Sequence, residues 1–158
     1  MNLLSNQKGL TLLELIISVG LLGIIMAAGL TLYLTGIKTW KTGDVQLELQ
    51  QNARIAIKTI SEAVRDAKIV EVLDEEGKYV VEGNRISIVT NKGENIEFYY
   101  KDKKLMRKKN HTSNTVANYV ENIVFKKESS LIFISIEVKK EDHSVELETK
   151  IFPRNSRK

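Results

Sequence analysis

With 158 residues, a net charge of +4 and 28% charged side chains, the chain has room for one modest soluble domain beside an apolar run near its start, and not for a two-domain enzyme. The lack of cysteine excludes a disulfide framework, a thiolate nucleophile and a cysteine metal site. His111 and His143 stand in polar stretches without further ligands at metal spacing, so neither a metal nor a cofactor is expected.

Met1 to Gly9 is a polar start. After it come Leu10-Thr11-Leu12-Leu13-Glu14 and then 23 uncharged positions, Leu15 to Ile37, enough to cross a bilayer as a helix. The run is too long for the core of a secretory signal, which has about 7 to 15 residues. Gly20, Gly23 and Ala27 fall three and four apart on one helix face, where small side chains let a second membrane helix approach; Gly and Ala are also simply common in such helices. Lys8 precedes the span and Lys38 and Lys41 follow it, so charge alone does not orient it.

The junction at Lys8-Gly9 has little side chain and can be held extended by a protease, whereas the helix behind it resists cleavage. Glu14 is the outlier, because an acidic side chain in an apolar membrane helix costs about 2.5 to 3.5 kcal/mol at the centre and less near the end. Thr11 and Glu14 also have the spacing of a capping box, which would give the carboxylate a local role. The segment Lys8-Gly9-Leu10-Thr11-Leu12-Leu13-Glu14-Leu15-Ile16 resembles the leader junction of type IV prepilins and type II secretion pseudopilins. That resemblance implies cleavage after Gly9 by a prepilin peptidase, N-methylation of Leu10, and a leader that stays cytoplasmic. It also implies a head outside the membrane, at the cell surface or in the periplasm, and assembly with other pilin or pseudopilin subunits aided by Glu14. Two departures are Leu10, where the family most often has phenylalanine, and the absence of a helix-kinking proline, Thr31 lying in that region.

Beyond the span, Leu49, Ala53, Ala56, Ile60, Ala63 and Ala67 recur four and three apart, with Ile57 and Val64 beside them, giving an amphipathic continuation of the helix. Gly43-Asp44 is its weak point, since glycine costs about 1 kcal/mol relative to alanine. The period then changes to two. Ile86 and Ile88, the turn Asn91-Lys92-Gly93-Glu94, and Ile96, Phe98 and Tyr100 on an inner face make a hairpin. Ile132, Ile134, Ile136 and Val138 face one way, and Val145, Leu147, Thr149 and Ile151 alternate with charge across a turn near Asp142. Shorter strands are expected at Lys78 to Glu82, Leu105 to Lys108 and Val120 to Phe125, with a turn at Glu75-Glu76 and a polar loop from His111 to Asn118. The expected fold is α+β: a leader at 1–9, a membrane helix at 10–37, its amphipathic extension at 38–68, and an antiparallel β-rich head at 69–158.

Gln51-Asn52-Ala53-Arg54, Ile60, Val64-Arg65-Asp66-Ala67, Val120 to Phe125 and Arg154-Asn155 are also similar to minor subunits related to pilus proteins of the W type and pseudopilins of the J type. This second resemblance implies a minor subunit of a type IV pilus or secretion-like filament. Two rivals stand beside it. Lys101, Lys103, Lys104, Arg107, Lys108 and Lys109 form a basic cluster, with Tyr99 and Tyr100 before it, that could bind DNA in a competence pilus or simply guard a sheet edge. An unprocessed, membrane-anchored binding domain is the other. No Gly-rich phosphate loop, nucleophile elbow or HExxH motif points to an enzyme.

Overall fold

Thr11 opens the long helix: its Oγ1 and its carbonyl both accept from the Glu14 N–H, at 3.3 and 3.1 Å, in the computed structural model, which describes residues 11–154. The helix, α1 (Leu12–Arg65), continues through Gly43 and Asp44, so one glycine is not enough to break it. The chain falls into two compact units, Met1–Gly43 and Asp44–Lys158. In the first, the apolar window is long and hydrophobic enough to cross a membrane, and none of it is buried by the chain itself.

In the second unit the helix becomes one-sided. Leu49, Ala53, Ala56, Ile60 and Val64 are fully buried, and the alanines among them let the sheets come close. Val64, not Ala63, sits at the centre of the stripe; Ala63 is only half-buried at its flank. The helix ends without glycine or proline. The Arg65 carbonyl accepts from the Arg154 N–H at 3.4 Å, and the Asp66 carbonyl accepts from the backbone and side-chain N–H groups of Asn91, at 3.2 and 3.1 Å. These contacts pull the chain off the helical path three residues before the expected end at Lys68. Ala67 is buried as its spacing requires, but in the first strand.

Among the described residues nine strands follow: β1 (Ala67–Leu73), β2 (Glu82–Gly83), β3 (Arg85–Thr90), β4 (Asn95–Lys101), β5 (Lys104–Lys109), β6 (Thr112–Asn118), β7 (Val120–Glu128), β8 (Leu131–Lys140) and β9 (His143–Ile151). They form two antiparallel sheets, β1-β3-β4-β5-β6 and β2-β7-β8-β9. The inner residues of both sheets join the helix stripe in one core, with Phe98 and Phe125 as its largest side chains. The β3–β4 hairpin lies where the sequence places it, its turn closed by Gly93 at φ 79°, with the Thr90 hydroxyl accepting from the Glu94 N–H at 3.2 Å. The pair β8–β9 alternates as expected around Glu141-Asp142.

Four local expectations change. Segment β1 is a strand that the helical spacing concealed. The stretch from Lys78 to Glu82 is mostly irregular, with a single bridge from Tyr79 to Leu73 before β2. The polar loop from His111 to Asn118 is instead strand β6, because an edge strand beside β5 needs no apolar alternation to pair. Tyr100 shares the parity of Ile96 and Phe98 but lies at the open end of β4 and is exposed.

After β6 the chain passes to the second sheet across one residue. Tyr119 joins β6 to β7 with φ 61°, a left-handed conformation costly for an aromatic side chain. Its carbonyl accepts from the Lys139 N–H at 2.7 Å, the next N–H, of Val120, donates to the Lys103 carbonyl at 2.9 Å, and the Lys140 ammonium sits 4.7 Å from its ring centre. Lys140 also donates to Glu48 on α1 at 2.5 Å. That bond holds the Glu48 carboxyl below its ordinary 4.5 and the Lys140 ammonium above its ordinary 10.5. Nearby, Asn52 donates to the Glu48 carbonyl and accepts from the Asn118 N–H, at 3.0 and 2.9 Å. Helix and sheet are thus fastened at the point where the chain changes sheets.

Gly83 is packed against backbone: a Cβ there would lie 2.2 Å from the Leu73 carbonyl oxygen. Gly83→Ala is expected to destabilise the head by about 1 to 3 kcal/mol, since β1 and β2 must part. Gly43→Ala, in an open helical position, is expected to be neutral or stabilising by up to about 1 kcal/mol. Urea unfolding of the full chain in detergent, followed by circular dichroism, checks both.

Candidate functional site

The N-terminal turn of α1 holds the described candidate residue Glu14. Thr11 supplies half of a capping box, since its hydroxyl accepts from the Glu14 N–H. The reciprocal bond, from the Thr11 N–H to the Glu14 carboxylate, is not formed. Among the described residues the Glu14 carboxylate has neither a hydrogen bond nor an ion pair. The cut expected between Gly9 and Leu10, and the leader before it, lie outside the described residues.

The rest of the span neutralises its own polarity. The hydroxyls of Ser18, Thr31 and Thr35 donate to the carbonyls of Glu14, Ala27 and Thr31 at 2.7, 2.9 and 2.9 Å. Thr31 is therefore an ordinary helical residue where a proline would have removed a hydrogen bond. Glu14 is left as the single charged group between Thr11 and Ile37. Gly20 and Gly23 have open space where a Cβ would stand, and Ala27 on the same face is exposed.

Trp40 is a residue that sequence reasoning passed over. It is 78% exposed at the end of the uncharged run, between Lys38 and Lys41. An indole with flanking lysines suits a membrane–water boundary, and its position at the end of the run was the available signal.

The basic cluster is split by the pleat. On β4 and β5, Lys101, Lys104 and Lys108 share the outer face, whereas Arg107 and Lys109 lie on the side of buried Leu105, and Lys103 sits in the turn with φ 57°. Lys103 pairs with Glu121 at 3.4 Å and Lys109 with Glu94 at 2.8 Å. The Lys109 pair holds the Glu94 carboxyl below its ordinary 4.5. Glu97 stands directly across from Lys108. The Tyr99 ring, the candidate base-stacking platform, already carries the Arg85 guanidinium 5.6 Å from its centre. The cations therefore do not form the single track that a nucleic-acid backbone would follow. His111 lies in the β5–β6 turn and His143 opens β9, and among the described residues no group of three or more potential ligands gathers to hold a metal.

With this geometry in place, comparison with known proteins finds one match, at the start of the chain. The family model for the prokaryotic N-terminal methylation motif matches residues 4–30, which include Gly9, Leu10, Glu14 and the small-residue face. A comparison with curated proteins gives no match. The matched motif at the start of a long apolar helix, with an antiparallel head behind it, supports a type IV prepilin-like architecture.

Proposed function

We propose that the chain is a minor pilin or pseudopilin subunit, cut after Gly9 by prepilin peptidase, methylated at Leu10 and built into a type IV pilus or type II secretion-like filament. Its leader faces the cytoplasm and its head the outside. Glu14 carries this reading: a carboxylate in an apolar helix, inside the matched methylation motif, has no partner among the described residues. The amino group created at Leu10 of a neighbouring subunit is the chemically matched partner, because opposite charges attract strongly where water is excluded and each alone is penalised. The proline-free span supports a minor role. The DNA-binding alternative has less support, since the pleat divides its cations between two faces.

Within one helix, four residues span about 6 Å along the axis, so a contact between Glu14 and the amino group of its own chain has to be separated from one between subunits. Glu14→Gln is expected to be processed and inserted normally yet to fall at least about tenfold in sheared filaments relative to membranes, corresponding to about 1.4 kcal/mol or more. Wild-type incorporation would mean that the amide suffices and Glu14 only caps the helix. The small-residue face makes a separate expectation. Gly23→Ile should weaken helix association in lipid vesicles by about tenfold, measured by energy transfer between labelled full-length chains. Gly29→Ile, on the opposite side of the helix, should leave it unchanged.

A further inference from the structure

Two sheets have four outer edges, and three are guarded. On β1, the outward carbonyls of Val70 and Val72 already accept from the Lys127 ammonium at 2.7 Å and the Val80 N–H at 3.0 Å. Strand β2 is two residues long. Strand β9 carries Glu146, Glu148 and Lys150 at alternate exposed positions, a pattern that repels a second strand. Strand β6 has none of these devices. Its seven residues, Thr112 to Asn118, include no charge and no proline, and its first four are exposed. Among the described residues the one backbone group of β6 bonded outside the β5 ladder is at its end, the Asn118 N–H, which donates to Asn52; of its side chains, the Ser113 hydroxyl accepts from the Tyr99 hydroxyl and the Thr115 hydroxyl donates to the Met106 sulfur, both at 3.4 Å.

The register shows which groups are on offer. Lys109 and Thr112 flank a two-residue turn and face each other, so they exchange the first pair of ladder hydrogen bonds. Thr112 and Asn114 then point their backbone groups at β5, and Ser113 between them points its N–H and C=O away. The opening ends near Thr115, where the register shifts.

Charge says what fits. Lys104 and Lys108 on the adjoining outer face form no ion pair among the described residues, and Arg107 and Lys109 lie on the other face. A strand laid along β6 would sit two strand spacings from β5, about 10 Å, close to one Debye length at 0.1 M salt. Lysine side chains shorten that gap, so acidic side chains on the incoming strand would be drawn in at low salt.

We propose that β6 is a docking edge that takes an extended, acidic segment of a partner protein as an additional strand. Main-chain hydrogen bonds to the outward N–H and C=O of Ser113 supply the register, and Lys104 and Lys108 supply the preference for glutamate or aspartate. This edge is independent of Glu14 and of processing at Gly9.

The test uses the full chain in detergent micelles and a fluorescent eight-residue peptide in which glutamate alternates with valine. Saturable binding is expected, weakening several-fold between about 0.05 and 0.3 M salt. Lysine in place of glutamate in the peptide should abolish it, and Lys104→Glu with Lys108→Glu should weaken it at least about tenfold. A peptide N-methylated at alternate residues, which keeps its charge but loses its donors, should not bind. Ser113→Pro should likewise abolish binding while circular dichroism shows a folded head; if that variant unfolds, the N-methylated peptide on the unaltered chain decides. Absence of binding, or equal binding of the N-methylated peptide, overturns the proposal.

Discussion

One helix has to satisfy two environments. From Leu15 to Ile37 it is uncharged on every side, and the chain buries none of its most apolar window, so only lipid or other apolar helices can cover it. From Leu49 to Val64 it is apolar along one stripe, and that stripe is fully buried. Glu14 breaks the rule of the first half. A lone carboxylate there is tolerable when something positive meets it, and the proposed cut after Gly9 would create an amino group four residues before it in the sequence.

The head follows from the stripe. Small residues at Ala53 and Ala56 allow close approach, and the large side chains Phe98 and Phe125 fill the core from the two sheets. The strained Tyr119 is the cost of passing from one sheet to the other without a loop. Lys140 and Glu48 sit against it, so the polar fastening of helix to sheets and the sheet-to-sheet crossing are the same cluster. Folding the sheets this way leaves β6 at an outer edge, with basic β5 beside it.

The sequence was most legible where a single strong pattern acts. The apolar run, the motif around Gly9 and Glu14, the helix stripe and the hairpins on either side of Gly93 and Asp142 each follow from one periodicity or one turn. It was least legible where tertiary contacts override a local pattern. Asn91 and Arg154 end the helix at Arg65 although Ala67 continues its spacing, which hid β1. Strand β6 has no alternation because it pairs through its backbone and buries little but Ala117. The basic run from Lys101 to Lys109 reads as one patch along the chain, yet a pleated hairpin sends neighbouring side chains to opposite faces. The division into two sheets had no local signal, since the chain passes between them at single residues, Asn84 and Tyr119, that no periodicity marks.

The most direct measurement is the mass of the mature N-terminus, taken on the full chain produced together with a prepilin peptidase and isolated from membranes. The account requires a chain that begins at Leu10 and carries one methyl group on its amino nitrogen. A chain that retains Met1 to Gly9 under those conditions would contradict it, leaving a membrane-anchored domain whose Glu14 has no new amino group to meet.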